Sequence, residues 1–462
     1  MSAPARRMNP AAEPTVAAAT ATLLGCGVVA GLAGAASQQT MLALAGGAAA
    51  GAAFTALVAA GWVDGLALVL LSLPLPAIYA SGAVRLSVAA PVTAAFVFAW
   101  LLRTGAAGAA LDTGALPRRA IAALLAAFVV AAVFAQHPLT SARETLNMAV
   151  LVGFAATATH ALRGEAGAVR RLALLLAAVA AACGALAVLE TVGILPGRFP
   201  RTGTAFHRAA LGFGQPNGLG LFLAVTLPFT VHAFATARGP ARRVAAAAAV
   251  AAAAAGVVGT FSRGSWLSLL AGASALLLCG ERRFALRIGL GAAVAAVVFD
   301  LVSGGALRDT VQRTFGDWVV EQRAALTVAG VLMFLEHPVL GVGPGGFAES
   351  LDRFGAQVSW LWDYLPTPHN AFVQMAAEAG VIGLAAYIAF LGAALRTLLR
   401  AARAAAAAGD PVERSLRRTL VWSFATACFA GFVIWPFAHG AGQAVLLVLA
   451  MGAAAGDGRA TG

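Results

Sequence analysis

The sequence predicts an all-α, polytopic membrane protein of twelve to fourteen transmembrane helices, with one sizeable helical loop outside the bilayer. Three observations lead there. The 462-residue chain is 60% hydrophobic and only 11% charged. Apolar runs of about eighteen residues or more, enough for a helix to cross a hydrocarbon layer, recur along it. The 31 basic residues, all of them arginine, fall mostly in short clusters between those runs, as the positive-inside rule distributes them. A soluble domain could not enclose so much apolar surface. The formal net charge of +12 does not describe a nucleic-acid-binding face either, because the arginines follow the loops and form no continuous stripe.

At about twenty residues per span, helices are expected at 15–36, 40–60, 63–80, 87–102, 119–136, 145–162, 171–194, 217–236, 243–261, 265–279, 284–302, 371–396, 418–436 and 438–455. The first run follows Arg6 and Arg7 as a signal peptide would, but no cleavage site separates it from the next. It is read as a retained helix with the N-terminus in the cytoplasm. Spans 40–60 and 63–80 are divided by little more than Trp62-Val63-Asp64, and 243–261 from 265–279 by Ser262-Arg263-Gly264, so the number is a range. Three regions are expected: N-terminal transmembrane helices over 1–194, a core over 195–400 that includes the outer loop 303–370, and a C-terminal transmembrane hairpin over 401–462.

With both termini inside, 21 of the 31 arginines fall in alternate, cytoplasmic loops. Ten stand on the other side: Arg85, Arg143, Arg198, Arg201, Arg208, Arg263, Arg308, Arg313, Arg323 and Arg353. Arg198, Arg201 and Arg208 share one short outer loop, and Arg263 stands at the outer ends of two helices. Arginines gathered on the side where they are normally depleted point to an anionic ligand there. A snorkelling helix-end arginine is the plainer alternative for Arg263, and charge alone does not choose among Arg198, Arg201 and Arg208. Within the outer loop, 319–336 reads as an amphipathic helix near the interface, with Glu321, Arg323 and Glu336 set among Val, Leu, Met and Phe. Arg323 joins the candidate anion-binding group.

After that helix comes Glu336-His337-Pro338-Val339-Leu340-Gly341-Val342-Gly343-Pro344-Gly345-Gly346-Phe347, a Pro/Gly turn. By letter it contains GxGxxG, but a dinucleotide fold needs a strand before it, and here a helix is expected; His337 is read as shaping the turn. Cys26, Cys183, Cys279 and Cys428 lie in or at the ends of apolar runs without CxxC spacing, which suits packing rather than disulfides or metal. No DxD or ExE pair occurs, so the acidic metal-binding pair of many glycosyltransferases is missing.

The most specific stretch is Thr367-Pro368-His369-Asn370. Thr367 as N-cap and Pro368 as N1 would place His369 and Asn370 in the first helical turn, beside free N–H groups and the positive dipole end. That setting disfavours imidazolium and leaves a neutral ring able to accept a proton. Glu378 would then lie about two and a half turns along, where an unpaired carboxylate is costly. Gly380 and Gly383 would open a face for a neighbouring helix. Asn217, in Gln215-Pro216-Asn217, is available to a sugar or phosphate, or simply starts its helix.

Together these residues resemble the O-antigen ligase and polymerase superfamily of lipid-linked sugar transferases, and the ligases most closely. The ligase pattern of His, then Asn/Ser/Gln, nine residues, Gly, two residues and a small residue is met by His369, Asn370, Gly380 and Gly383. Ser262-Arg263-Gly264 is similar to the family's arginine-bearing helix junction, and His337–Phe347 to its loop. The resemblance is strong over about 195–390; the first 190 residues agree only in being hydrophobic.

The resemblance implies a GT-C-like glycosyltransferase of the bacterial inner membrane with a periplasmic active site. It would move a glycan from undecaprenyl diphosphate to a lipid A-core sugar hydroxyl with inversion, without metal, nucleotide or other cofactor. By position, His369 takes the role of general base, and Arg263 and Arg201 grip the diphosphate, with Arg198 or Arg208 as alternatives to Arg201. Asn370, Glu378, Asn217 and Arg323 would orient groups nearby. Partners expected are the lipid-linked glycan, the lipid acceptor and membrane lipids, with no nucleic acid. Three rival readings stand beside it: a polymerase, whose acceptor is another lipid-linked unit; a protein O-oligosaccharyltransferase, which calls for a more distinctive C-terminal outer region; and a transporter, which would carry charges at the membrane midplane.

Overall fold

The protein is described from a computed structural model over residues 61–74, 77–80, 84–87, 89–106, 112–163, 165–197, 199, 206–305, 308–309, 312, 318–354, 367–433 and 441–454. The expected spans 15–36 and 40–60 lie outside these residues. The chain divides into two units, Met1–Asp112 and Thr113–Gly462.

In the first unit, α1 (Trp62–Ser72) packs on α2 (Ala89–Ala106) through Leu66, Val69, Leu70 and Phe96, with Trp62 edge-on to Phe96 at 5.9 Å. The helix expected over 63–80 stops at Ser72. Leu73 still has helical φ and ψ, but Pro74 follows it and Pro76 comes two residues later, and a proline has no N–H to continue the helical ladder. An antiparallel hairpin takes its place, β1 (Ala77–Ala80) against β2 (Val84–Ser87), with Ile78 opposite Leu86 and Tyr79 opposite Arg85.

The second unit is helical: α3 (Arg118–Val133), α4 (Pro138–Leu162), α5 (Ala166–Thr191), α6 (Pro216–Thr236), α7 (Pro240–Gly259), α8 (Arg263–Ser274), α9 (Arg282–Val302), α10 (Trp318–Glu336), α11 (Ala371–Ala408), α12 (Pro411–Ala430) and α13 (Ala441–Ala454). Among the described residues, six helices are long and apolar enough to cross a membrane: Pro138–Leu162, Gly167–Thr191, Pro216–Thr236, Pro240–Gly259, Arg282–Leu301 and Ala371–Ala408. A multi-pass helical membrane protein accounts for them, since helices satisfy their backbone groups internally in lipid.

The helix starts follow local chemistry. Pro138, Pro216, Pro240 and Pro411 occupy first-turn positions where a missing N–H costs nothing. Asp410 caps α12 by accepting from the Val412 and Glu413 N–H groups at 2.8 and 3.3 Å. Accordingly α12 begins at Pro411 and ends at Ala430, not over 418–436, and α4 begins at Pro138 rather than 145.

The centre of the unit is α6, α12 and α13, most of whose residues are enclosed, those of α13 almost completely. Helices α5 and α7 approach closely where Gly184 meets Gly256 and Ala252, as small residues allow in membranes. At the periphery, α9 turns Leu286, Leu290, Val294, Val298 and Leu301 outward. Helix α10, expected over 319–336, forms over Trp318–Glu336 and packs Leu326, Ala329 and Met333 against Val342, Phe347, Leu351 and Ala377.

Several helix termini meet at one end of this unit. The His207 N–H donates to Thr191 at the end of α5, and the Ala209 N–H to Gly259 at the end of α7. Phe261, between α7 and α8, packs its ring against that of Phe299 near the end of α9, tilted, at 6.0 Å between centroids. The first N–H of α11, that of Ala371, donates at 2.6 Å to Gly431 at the end of α12. Helices α6 and α8 begin there too, so this end collects the residues singled out from the sequence.

Candidate active site

The histidine of the Thr367–Asn370 stretch sits differently from expectation. Asn370, not Thr367, is the N-cap of α11: its Oδ1 accepts from the Phe372 and Val373 N–H groups at 2.9 and 3.1 Å. An amide oxygen reaching N2 and N3 is the preferred cap chemistry, and it displaces His369 to the residue before the cap. His369 takes a left-handed backbone with φ 50°, which costs a non-glycine residue about 1–2 kcal/mol. Both sides are clamped. The Thr327 hydroxyl of α10 donates to the Pro368 carbonyl at 3.4 Å, and Ala371 is held by Gly431.

The expected neutrality of the ring comes from another source than the helix dipole. Burial, reinforced by the positive charge of Arg323, pushes the His369 imidazolium down to about 4. At neutral pH the ring is therefore uncharged, with a hydrogen on one nitrogen and a lone pair on the other.

Arg323, on α10, is itself lowered, first by burial and then by the charge of Arg263. His369, Arg323 and Arg263 thus form one series, each within the field of the next. Their elements are far apart in sequence, yet α10 lies along the start of α11 and α8 begins at the same end. Two arginines that repel across an enclosed region are relieved most directly by an anion between them.

Arg263 opens α8 after a sharp corner. Phe261 has φ 49°, the Ser262 N–H donates to the Thr260 hydroxyl at 3.2 Å, and the Trp266 indole N–H reaches back to the Val257 carbonyl at 2.9 Å. Gly220 of α6 passes against Ser265, Thr260 and Ser262, where any side chain would collide.

Arg208 is brought to this corner. Its Nε donates to the Thr260 carbonyl at 3.3 Å and its guanidinium to Asn217 Oδ1 at 3.4 Å. Arg201 and Arg198 lie outside the described residues, so of the three arginines in the outer loop Arg208 is the one seen beside Asn217 and the Arg263 junction. The loop is held by Glu190, whose partners are backbone N–H groups and leave no mark in the sequence pattern. Its buried carboxylate accepts from the Ala210 and Leu211 N–H groups at 3.0 and 2.9 Å. Leu211 there has φ 44°.

The Gly/Pro turn and the glycine that follows His369 at a fixed distance are two halves of one lock. At Gly380 the backbone of α11 is non-helical, φ 63° and ψ −163°, a region open essentially to glycine alone. This break frees the carbonyls of Ala377 and Glu378 to accept from the Val342 and Gly343 N–H groups at 2.9 and 3.0 Å. The Val381 N–H donates to Pro338 at 2.8 Å.

The neighbour that Gly380 admits is therefore the backbone of Val339 and Leu340, not a helix as expected. Gly341, at φ 68°, lies equally close to the Ala377–Ala379 backbone. The Glu378 side chain, buried, accepts from the Gly345 N–H at 2.9 Å and from Gln374 at 3.2 Å, so it holds the turn. His337 lies 2.9 Å from the Gln136 amide, beside Glu336, which also pairs with Arg353. Among the described residues no three His, Cys, Asp or Glu side chains gather as metal ligands, and Cys183, Cys279 and Cys428 are free thiols.

The region that contains the α7–α8 corner, Arg263, Arg323, the Gly/Pro turn, His369 and Gly380 matches a known family. Residues 247–388 match the family model described as O-antigen ligase. No curated protein matches the chain.

Proposed function

We propose that this chain, a member of the O-antigen ligase superfamily through residues 247–388, is the ligase itself: it moves a glycan from undecaprenyl diphosphate to a lipid A-core sugar hydroxyl at the periplasmic face of the inner membrane. Membership makes the protein a membrane enzyme of glycosyl transfer. The donor, the acceptor and the residue roles are our reading.

One observation carries it. A neutral, largely buried histidine stands under the charge of Arg323, which is itself under the charge of Arg263, at the meeting point of several helix ends. The histidine can take a proton, and the arginines can hold and neutralise a diphosphate.

In the step proposed, the acceptor hydroxyl attacks the anomeric carbon as its proton passes to His369. The bond from that carbon to the diphosphate oxygen breaks with its electron pair, inverting the centre and releasing undecaprenyl diphosphate. Arg263 and Arg323 are placed to balance the charge that develops on the leaving oxygen. Arg208, held by Thr260 and Asn217, is assigned beside them together with Arg201.

A histidine near 4 is a weak base, and the donor corrects this. A diphosphate laid against Arg323 offsets the cation that depresses His369, so donor binding raises the basicity of the ring when the acceptor arrives. Asn370 caps α11 and fixes where the imidazole stands, while Glu378 and Gly380 fix the turn beside it.

The test is a deletion strain complemented with the wild-type chain or with H369A, with lipopolysaccharide and lipid-linked glycan examined together. The ligase reading expects full-length lipid-linked polymer to accumulate without a ladder in the deletion strain and with H369A. Cores capped by a single repeat would assign the chain as a polymerase, and a normal ladder with H369A would remove His369 as the base.

A further inference from the structure

At the opposite end of the bundle, where α6 and α11 finish and α9 and α12 begin, a cleft of about 390 Å³ is lined by Arg283, Arg287, Arg414 and Arg418 against the single carboxylate of Glu281. Arg414 Nε bonds Glu281 at 2.6 Å, and Arg418 lies 3.8 Å from its other oxygen with its guanidinium 3.6 Å over the Phe284 ring. That one carboxylate is thereby shared between two arginines. Among the described residues, Arg283 and Arg287 have no ion-pair partner and are exposed, and the buried Arg418 Nε finds no acceptor. Four guanidiniums converging on one acid leave a net positive cleft that still has donors to satisfy.

What adjoins the cleft narrows the ligand. Arg283 and Arg287 stand one turn apart on α9, and the same helix continues into the exposed Leu290, Val294, Val298 and Leu301. Helix α9 therefore presents cations at one end and, farther along, a bare apolar surface with the length of a membrane span. The arginines lie at its N-terminal end, the level at which lipid headgroups meet water.

We infer that this cleft binds the phosphate of an anionic lipid, with the headgroup between Arg283, Arg287 and Arg418 and the acyl chains along α9. The alternation of arginine clusters puts these helix ends on the cytoplasmic side, so the lipid would come from the inner leaflet, away from the end that carries His369. A free phosphate offers the same anion but makes no use of the apolar surface.

The full chain is purified into nanodiscs of phosphatidylcholine doped with phosphatidylglycerol, and retained lipid is counted by native mass spectrometry. The variants are R283Q/R287Q, both at exposed positions, and R242Q/R243Q, an exposed arginine pair at the start of α7 that lines no part of the cleft. At about fivefold per arginine, R283Q/R287Q is expected to retain phosphatidylglycerol about twenty-fivefold more weakly, with R242Q/R243Q like wild type.

In a second arm, inorganic phosphate is titrated into wild type in pure phosphatidylcholine nanodiscs while thermal unfolding is followed. Stabilisation by phosphate that R283Q/R287Q abolishes, without selective lipid retention, supports the phosphate site and assigns its source to solution. Equal losses in both double variants, or neither retention nor stabilisation in wild type, overturn the inference.

Discussion

Replacing Gly380 by alanine tests whether the break in α11 is what positions the Gly/Pro turn. The native φ 63° and ψ −163° are closed to alanine, and a methyl there would run into the Val339 carbonyl and Leu340 N. If the variant keeps the break, the backbone strain costs about 1–3 kcal/mol before any collision is relieved. If it straightens into continuous helix, the Ala377 and Glu378 carbonyls return to intrahelical bonding. Three cross-connections to Pro338, Val342 and Gly343 are then lost, worth about 1 kcal/mol each. Either path weakens the local structure by about 3 kcal/mol, enough to open the turn while the apolar bundle remains folded. Hydrogen exchange on the reconstituted protein is the assay: amides of Val342, Gly343 and Gly345 should exchange about a hundredfold faster in G380A, with those of α6 unchanged, and glycan transfer should fall in parallel. Unchanged protection at Val342 and Gly343 with full transfer would refute the lock.

Four further outcomes follow from the same geometry. Because His369 is held near 4 instead of its ordinary 6.5, the unfolded chain binds more protons between those values; stability therefore rises with pH across that window and is lost as pH falls toward 4. Thermal unfolding of wild type should be steeper in pH there than that of H369Q, and parallel curves would contradict the burial of a neutral ring. R323Q removes the cation acting on His369 and should let the ring titrate closer to 6.5 by histidine NMR, while raising KM for the lipid-linked donor. E190Q replaces the charged oxygen that both N–H groups share with a neutral amide oxygen, and should cost about 2 kcal/mol of stability through the two weakened charge-assisted bonds and lower transfer by loosening the Arg208 loop. N370A, which removes the α11 cap, should cost about 1 kcal/mol and displace His369; a crystal structure with the imidazole unmoved would show that the clamp from Thr327 suffices.

How much of this was legible depends on whether a signal is local. Apolar runs bounded by Pro216, Pro240 and Gly239, and the amphipathic spacing over 319–336, state their own helices because period and caps are written in adjacent residues. The Thr-Pro-His-Asn stretch announced a helix start, but two residues could cap it, and only Asn370 has an oxygen placed to reach two N–H groups at once. The break at Gly380 was hidden because nothing in a glycine says whether its partner is a helix or a loop; the answer lay some forty residues upstream, in Pro338–Gly343. Glu190 was invisible for the same reason, since its two hydrogen bonds are to backbone N–H groups of Ala210 and Leu211, which carry no side-chain signature. The helix expected over 63–80 failed where hydrophobicity was read ahead of Pro74 and Pro76.

Three non-glycine residues occupy left-handed backbone among the described residues, Leu211, Phe261 and His369. Each stands at a corner leading into a helix that bears a candidate group: Leu211 before α6 and Asn217, Phe261 before α8 and Arg263, His369 before α11. Left alone, each would relax toward ordinary turn geometry and shift the group that follows it. Leu211 is fixed from distant sequence by Glu190, and the residues on either side of His369 by Thr327 and by Gly431 at the end of α12, while the Phe261 corner is closed locally by the Ser262–Thr260 and Trp266–Val257 bonds. Strain of this kind, about 1–2 kcal/mol per residue, persists only where surrounding structure over-determines it. On the function proposed, these corners set the cations and the neutral imidazole in place before any donor binds. For charge developing on a diphosphate leaving group this would matter more than the affinity of any one arginine, because groups already oriented need not reorganise as the bond breaks.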